Sequence, residues 1–266
     1  MHEILGLPLV FYPINLARKL GSSIIAVTGH GREVVGPYLD TFSITQTVQD
    51  PPLGTGHAVM TARDAIRQTP AEDVIIIPGD MPLIEYSSLT ALIELYRTHK
   101  VTLGILTARL SDPSGYGRII RDGNDYVMSI IEHNDANDEQ KKINEINTGV
   151  YIIRKDFLLN AVERLTPNNA KGEYYLTDIV HMADSAVSFV APDYNEAHGI
   201  NSREQLSHAA RIMQLRVNKA LMEGGVTFIE PGAAWISPLV AMGRDVEIWK
   251  NVHVLGESSI ASKVTI

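Results

Sequence analysis

The chain has 266 residues, 45% of them hydrophobic and 20% charged, with a formal net charge of −8 and no cysteine. This composition is that of a globular protein with a substantial core, and the acidic balance argues against nucleic acid as the main partner, because neutralising phosphates requires a basic face. The lack of cysteine excludes disulfides and thiolate metal sites, and no apolar run reaches the ~18 residues of a membrane span, so we expect a cytoplasmic protein.

Apolar, β-rich segments alternate with helical patterns in the first part of the chain. We predict two helices, Thr55–Gln68 and Ser87–His99, and four strands within residues 23–30, 42–49, 73–80 and 101–110. Strand–helix alternation is typical of a mainly parallel sheet with crossover helices, and continuous apolar strands indicate that both faces of the sheet are covered. The expected fold class is α/β, a doubly wound, mostly parallel, Rossmann-like sheet that binds ligands at the carboxyl ends of its strands.

The third predicted strand leads directly into an isolated carboxylate. In "VIIIPGDMPLIE" the apolar run ends at Pro78-Gly79-Asp80, and neither lysine nor arginine adjoins Asp80 in the sequence. Asp80 could cap the following helix, but Ser87 is better placed to do so. The strand-end position therefore favours a ligand or metal role for Asp80.

The second half of the chain has a different pattern. We predict shorter strands around turns at residues 122–125 and 134–137, then a helix from near Ser202 to about Met222 that ends at the Gly-Gly pair 224–225. The tail repeats every six residues, as in "VEIWKN", "VHVLGE", "SSIASK" and "VTI", and this period is typical of a parallel β-helix. We therefore expect a domain boundary after residue 223, with residues 224–266 forming a linker and about one coil of a β-helix.

Several polar or glycine residues lie where predicted elements begin or end. "LGTGHAVMTA" places Gly54 and Thr55 before a helix, where backbone N–H groups favour negative charge, although a plain strand-to-helix turn explains the same letters equally well. We interpret His57 as a local packing or capping residue and leave it out of the chemistry.

Convergence of polar groups on one pocket would fix a ligand's orientation, although each group alone is more typical of a structural role. Asn201 in particular could be the N-cap of the long helix. No nucleophile–base pair follows from the spacing, which argues against covalent catalysis. The candidates further along the chain are Gly115, Gly117, Glu132, Asn147, Glu173, Tyr175, Thr177 and Asn201.

Taken together, these segments resemble one known family. "LGTGHA", "GDMPLI", "DPSGYGRI", "IIEHNDANDEQ", "EINTGVY", "GEYYLTDI", "GIN" and "GRDVEI" occur in the order and spacing of the bacterial bifunctional N-acetylglucosamine-1-phosphate uridyltransferase/glucosamine-1-phosphate acetyltransferase family. The resemblance covers essentially the whole chain. It implies a nucleotidyltransferase domain over residues 1–223 and the start of a left-handed β-helix over residues 224–266.

The resemblance also implies roles for individual residues. Asp80 and Asn201 would be the catalytic residues and would bind Mg2+, an ion that prefers hard oxygen ligands. Gln49, Gly54 and Thr55 would contact the uracil side of the nucleotide. The N-acetylglucosamine moiety would be held by Gly117, Glu132, Asn147, Tyr175 and Thr177.

The implied reaction is attack by the sugar 1-phosphate on the α-phosphorus of UTP, which gives UDP-N-acetylglucosamine and pyrophosphate for peptidoglycan and lipopolysaccharide synthesis. The full-length parent is expected to be a homotrimer. The partners would be UTP, N-acetylglucosamine 1-phosphate and UDP-N-acetylglucosamine, with no nucleic acid.

Two departures from the family pattern qualify these expectations. The family opens with a strand and a glycine-rich loop, L-A-A-G-x-G-T-R-M, followed by a lysine, whereas this chain begins at Met1-His2-Glu3-Ile4, beyond them. The tail also lacks the coils of the acetyltransferase, so we expect no acetyltransferase activity. An inactive chain, a non-catalytic nucleotide-sugar binding or regulatory module, and a nucleotidyltransferase for another base or sugar phosphate stay open as alternatives.

Overall fold

A computed structural model describes residues 1–266 of the chain. The chain forms two compact units. The larger unit comprises Ile14–Pro78 and Ile84–Ala197, and the smaller one comprises Met1–Pro13, Gly79–Leu83 and His198–Ile266. None of the helices combines the length and the apolarity that crossing a bilayer requires.

The helices and strands are numbered in chain order. The α-helices are α1 (Phe11–Lys19), α2 (Arg32–Asp40), α3 (Thr55–Gln68), α4 (Tyr86–His99), α5 (Asp138–Lys141), α6 (Lys155–Ala161) and α7 (Arg203–Glu223). The longer strands are β3 (Ile25–Thr28), β4 (Thr45–Val48), β5 (Asp73–Ile76), β6 (Leu103–Arg109), β7 (Arg118–Arg121), β8 (Val127–Ile131), β9 (Glu145–Arg154) and β10 (Ala186–Val190). Two-residue strands are β1 (Glu3–Ile4), β2 (Leu7–Pro8), β11 (Thr227–Phe228), β12 (Trp235–Ile236), β13 (Ala241–Met242), β14 (Glu247–Ile248), β15 (His253–Val254) and β16 (Ser259–Ile260). Short 3-10 helices span Val162–Arg164, Leu176–Met182, Tyr194–Ala197 and Pro231–Ala233.

The predicted α/β class and its helices are present in the larger unit. Helix α3 has the predicted bounds, and α4 begins one residue before the predicted Ser87. The apolar residues Val59, Ala62 and Ile66 recur at helical spacing and are the buried face of α3. They pack into a core that includes Ile153 and Leu158, each of which contributes about 1.5–3 kcal/mol by its burial.

The main sheet is mixed in direction. Six strands take part, in the order β10-β6-β9-β7-β8, with β5 also paired to β9. Strand β9 runs antiparallel to β5, β6 and β7, whereas β10 is parallel to β6, so β5, β6, β7 and β10 share one direction. The ten-residue β9 therefore interrupts the mostly parallel order expected from the strand–helix alternation. Strands β3 and β4 form a separate parallel pair.

Both faces of the sheet are covered, as the continuous apolar strands predicted. Residues 103–108 of β6 are buried in succession, so side chains pointing to either face are shielded from water. Thr107 and Glu145 are buried polar members of this layer, and the Thr107 hydroxyl donates to Glu145 Oε1 at 2.8 Å. A second carboxylate, Glu196, is also almost fully buried.

That buried Glu196 carboxylate satisfies the start of α4. Its Oε2 accepts from the backbone N–H of Glu85 at 2.9 Å, and its Oε1 accepts from the Ser88 hydroxyl at 2.7 Å. The predicted capping role of Ser87 is therefore wrong. Glu85 occupies the N-cap position without a side-chain cap, because a carboxylate far away in sequence takes over that role.

The smaller unit contains the long helix α7, as predicted. Ser202 is its N-cap, since its side-chain oxygen accepts from the Gln205 backbone N–H, and Gly224 is its C-cap. Ile4, Leu83 and Ala209 are buried members of one cluster that α7 covers.

The tail that follows α7 is built from parallel pairs of two-residue strands. Trp235 pairs with His253, Ala241 with Ser259 and Glu247 with Thr265, so each partner lies eighteen residues, or three of the predicted six-residue repeats, further along the chain. Their apolar side chains turn into a common core, which includes Phe228, Ile236, Val246 and Ile248.

Candidate functional site

The turn before α3 is fixed to the segment around Tyr174 by backbone hydrogen bonds. The Tyr174 N–H donates to the Leu53 carbonyl at 2.8 Å, and the Gly56 N–H donates to the Tyr174 carbonyl at 2.7 Å. The Thr55 hydroxyl oxygen accepts from the Leu176 N–H at 3.1 Å. We call residues 53–57 the base loop and residues 173–177 the sugar loop, after the ligand groups predicted for them. We call the hydrogen bonds that join the two loops the ladder.

This ladder explains the glycines of the base loop. A Cβ added at Gly54, where φ is +110°, would lie 2.6 Å from the Tyr174 carbonyl oxygen, and one at Gly56 would lie 2.5 Å from a methyl carbon of Leu165. Only glycine fits such backbone contact. The Gly56 N–H is bound to the Tyr174 carbonyl and therefore does not face a ligand.

The predicted base-side residues lie together. The Gln49 side chain follows β4, and its Nε2 donates to the Gly54 carbonyl at 2.9 Å. The same Nε2 lies 3.1 Å from Nδ1 of His57, whose ring is 6.2 Å from that of Tyr174. The sequence favoured a local packing or capping role for His57, and only the strand-turn-helix geometry brings its side chain into contact with Gln49.

Four of the five predicted sugar-side residues are also in contact. The Thr177 hydroxyl donates to Glu132 Oε1 at 3.1 Å, and a Cβ at Gly117 would lie 3.5 Å from both oxygens of that carboxylate. The Asn147 backbone N–H donates to the Gly117 carbonyl at 2.9 Å. The strand ends of β7, β8 and β9 thus meet the sugar loop at one place.

The Asn147 amide has a defined orientation. Its Nδ2 donates to the Tyr151 hydroxyl at 2.8 Å, while its Oδ1 accepts from the Gly149 N–H at 3.0 Å. Burial raises the pKa of Tyr151, so its hydroxyl keeps its proton. Because both ends of the Asn147 amide are already held, binding a ligand to this side chain costs little further conformational entropy.

The electrostatics of this cluster favour a ligand that donates hydrogen bonds. Burial raises the pKa of Glu132, although the hydrogen bond from Thr177 partly opposes it. Burial and the nearby carboxylates of Asp135, Glu132 and Glu173 raise the pKa of Tyr175, the fifth predicted residue, to about 12. A half-buried carboxylate surrounded by hydroxyls and an amide suits sugar hydroxyl and N–H groups better than an anion.

The predicted metal pair lies in the smaller unit. A Cβ at Gly199 would lie 3.2 Å from Asp80 Oδ2 and 3.8 Å from the Asn201 side-chain nitrogen, so the two side chains flank one glycine. The Ile200 N–H donates to the Asp80 carbonyl at 3.0 Å and fixes this approach. The alternative of Asn201 as a helix cap is wrong, because Ser202 holds that position.

The donor set at this place, a carboxylate and a side-chain amide, offers the oxygen atoms that a hard divalent cation prefers. Burial raises the pKa of Asp80, and the hydrogen bond from its own backbone N–H partly opposes this shift. A buried carboxylate that has no cationic side chain as a partner can bind a metal ion, which compensates its charge. The Asn201 amide can rotate so that its oxygen points toward the same ion. No group of three or more His, Asp or Glu residues is placed to hold a metal ion.

Comparison with known proteins identifies the family. The chain is 40% identical to "Bifunctional protein GlmU" of Geotalea uraniireducens (strain Rf4) over 272 residues, covering 100% of this chain and 59% of that protein. It is 38% identical to the protein of the same name from Geobacillus thermodenitrificans (strain NG80-2), with 100% and 59% covered. The family resemblance drawn from the motifs is thereby confirmed, and the chain spans about three fifths of the length of these relatives.

Solved structures show the same fold at low identity. A UDP-glucose pyrophosphorylase complexed with UDP-glucose superimposes with a TM-score of 0.63 at 19% identity, covering 80% of this chain and 89% of that one. HddC from Yersinia pseudotuberculosis gives a TM-score of 0.57 at 20% identity, with 80% and 88% covered. The sequence model of the family described as "Nucleotidyl transferase" matches residues 4–236. With that match extending over most of its length, the chain belongs to the nucleotidyl transferase family.

Proposed function

We propose that the chain is a uridylyltransferase that forms UDP-N-acetylglucosamine and pyrophosphate from UTP and N-acetylglucosamine 1-phosphate. The observation that carries the proposal is that the predicted base-side and sugar-side residues lie within one unit, on two loops that backbone hydrogen bonds of Tyr174 to Leu53 and Gly56 tie together. Gln49 donates to Gly54 in the first loop, and Thr177 of the second donates to Glu132. The similarity to proteins named GlmU and to an enzyme that holds UDP-glucose supports a UDP-sugar product.

The proposed reaction is a displacement at phosphorus. A phosphate oxygen of the sugar phosphate attacks the α-phosphorus of UTP, the bond to the bridging oxygen breaks, and pyrophosphate leaves with that electron pair. Such a transfer depends on positioning and on neutralising charge rather than on a covalent intermediate. Gln49, Gly54 and Thr55 would orient the base end of the nucleotide.

The sugar would be oriented by the cluster around Glu132. The Glu132 carboxylate and the Asn147 side chain offer acceptors to hydroxyl and acetamido N–H groups. Gly117 keeps room for that carboxylate against the backbone, and Tyr175 and Thr177 belong to the same loop.

We propose Mg2+ as the cation held by Asp80 and Asn201, whose oxygen donors and the convergence on Gly199 support a hard, small ion. When bound, Mg2+ would neutralise phosphate charge and offset the repulsion between the two substrates. Asp80 would supply the negative charge that retains the ion.

The domain organisation stays a prediction. We place the nucleotidyltransferase domain at residues 1–223 and the linker with the first coil of a left-handed β-helix at residues 224–266. The eighteen-residue spacing of the parallel pairs in the tail supports this division. A homotrimeric full-length parent, a cytoplasmic location and the absence of acetyltransferase activity from this chain are further predictions.

The test is pyrophosphate release from UTP and N-acetylglucosamine 1-phosphate, with and without Mg2+. We expect Mg2+-dependent release, either from the 266-residue chain or from the same chain preceded by the family's opening strand and glycine-rich loop. If neither protein releases pyrophosphate but both bind UDP-N-acetylglucosamine, a non-catalytic binding module would be favoured. Release from another nucleoside triphosphate in preference to UTP would contradict the uridylyl assignment.

The metal assignment is tested by Asp80→Asn. We expect it to lower Mg2+-dependent release by about a hundredfold or more, because the charge that holds the ion is gone. The matched control is Asp64→Asn on α3, where the side chain is 85% exposed and the change should leave release within about twofold. Near-normal release from the Asp80 variant would refute the metal site.

A further inference from the structure

His57 and Gln49 form a contact to which the proposed chemistry assigns no purpose. His57 is the third residue of α3, and its Nδ1 lies 3.1 Å from Gln49 Nε2. The imidazole ring faces the ring of Tyr174 at 6.2 Å, and the Tyr174 backbone is bound to Leu53 and Gly56. The ring is thus supported by the same ladder that fixes the base loop.

The neighbouring carbonyl decides which way the Gln49 amide points. The Gly54 carbonyl can only accept, and it lies 2.9 Å from Gln49 Nε2, so the nitrogen end of the amide faces Gly54 and His57. His57 Nδ1 must then accept the second amide proton through its lone pair. The imidazole proton consequently sits on Nε2 of the ring.

In the free protein, two acceptors hold the amide in this orientation. The Gly54 carbonyl and the Gln49 N–H lie side by side and satisfy each other. The imide edge of uracil presents an N–H donor next to a carbonyl acceptor and so complements this pair. Cytosine presents the reverse, a ring-nitrogen acceptor next to an amino donor, and mismatches both groups.

A base bound at this edge would take over the Gly54 carbonyl. His57 Nδ1 would then be the one acceptor left to keep the Gln49 nitrogen in place. We infer that His57 is a positioning residue for nucleotide selection: its Nδ1 lone pair keeps the donor end of Gln49 beside the Gly54 carbonyl, so that the pair accepts uracil and rejects cytosine. The inference rests on the proposed function, which assigns Gln49 and Gly54 to the base.

Two variants separate this role from simple packing. His57→Leu keeps the bulk and removes the acceptor, whereas His57→Asn retains an acceptor near the position of Nδ1. We expect H57L to lower the ratio of UTP to CTP affinity by about tenfold or more, as expected for the loss of one such hydrogen bond, and H57N to lose less. In a chain that already carries Gln49→Ala, H57L should change the ratio no further, because His57 acts through Gln49.

Equilibrium binding of UTP and CTP to the whole chain is the measurement, and nitrogen NMR of the histidine side chains gives the tautomer in the wild type. A proton on Nε2 of His57 together with the loss of preference in H57L supports the inference. A proton on Nδ1, or an H57L variant with the full preference for UTP, overturns it. A wild-type chain that binds neither nucleotide contradicts the proposed function instead, and the tautomer then still tests the Gln49–His57 geometry.

Discussion

The side-chain amides of Gln214 and Asn218 donate to the same backbone oxygen, that of Ala234, at 2.7 Å and 2.9 Å. The two residues are one turn apart on α7 and fully buried. Gln214 also donates to the Gly232 carbonyl, and Asn218 to that of Pro231. Four hydrogen bonds from one helix face thus hold the loop that leads into the parallel strand pairs.

We expect Asn218→Leu to destabilise the smaller unit by about 2 kcal/mol, because it leaves the Pro231 carbonyl without its donor and removes one of the two donors to the Ala234 carbonyl. Urea unfolding followed by tryptophan fluorescence measures the effect, since Trp235 adjoins Ala234. Lys219→Ala is the control on the same helix, with a side chain that is 75% exposed. Equal urea midpoints for the two variants would show that the hydrogen bonds of the Asn218 amide contribute nothing to stability.

The close approach of Gly56 to its neighbours makes a second prediction. Gly56→Ala should cost about 1–3 kcal/mol, because the new Cβ would lie 2.5 Å from Leu165 and 3.0 Å from the Tyr174 carbonyl oxygen. Gly123→Ala, where a Cβ meets nothing within 4 Å, is the matched control. Thermal unfolding of both variants is the measurement, and a Gly56 variant as stable as the control would be inconsistent with the ladder.

The Arg121–Glu145 pair predicts a pH dependence of stability. Burial of Glu145 opposes its charge, but hydrogen bonds from Arg121 and Thr107 outweigh burial and lower its pKa. A carboxyl group with a lowered folded-state pKa stabilises the fold above its unfolded-state pKa, and this contribution disappears as the pH falls through the folded-state value.

Glu145→Gln should therefore cost about 2 kcal/mol at pH 7 and progressively less on acidification below about pH 4. This cost is smaller than that for a fully buried pair, because the Arg121 side chain is 21% exposed. Glu139→Gln, which breaks an exposed pair with Lys142, serves as control. Denaturant unfolding at several pH values measures both, and a pH-independent cost for E145Q would rule out the charge-based account.

Glu132 predicts the opposite sign. Its pKa is raised by burial, so its charge destabilises the fold once the pH exceeds the unfolded-state value. Glu132→Gln keeps the acceptor for Thr177 and should raise the free energy of unfolding at pH 7 by roughly 1 kcal/mol, with no gain at pH 4. The same variant should bind N-acetylglucosamine 1-phosphate more weakly, measured by calorimetry. A variant that is less stable than the wild type at pH 7 would contradict the claim that the buried charge of Glu132 destabilises the fold.

The sequence pattern predicted those features of the fold that depend on residues close together in the chain. Helix α3 and the Ser202 end of α7 follow from apolar spacing and a capping residue within one turn, and the structure confirms both. The antiparallel position of β9 between β5 and β6 was not predicted, because the partners of this strand are set by tertiary packing. Ser87 failed as a cap for the same reason, since Glu196 arrives from a distant part of the chain.

In the candidate site, too, the sequence revealed some features but not the distant contacts that explain them. The glycines of the base loop were visible in the sequence, but their cause, contact with the Tyr174 backbone, was not. The sequence did not indicate a functional role for His57, since a histidine in the first turn of a helix is often a local packing or capping residue. Its contact with Gln49 depends on the fold, which brings the residue after β4 against the first turn of α3.

The ladder between Leu53, Gly56 and Tyr174 makes the base loop and the sugar loop a single mechanical element. Because these hydrogen bonds join the loops, we expect that ordering one loop also orders the other, so that the first ligand to bind bears the entropy cost of ordering both. The second ligand then meets a surface that is already ordered and binds more tightly. By thermodynamic reciprocity it tightens the binding of the first by the same factor, so we expect cooperative binding of two ligands from two backbone hydrogen bonds, without a domain movement.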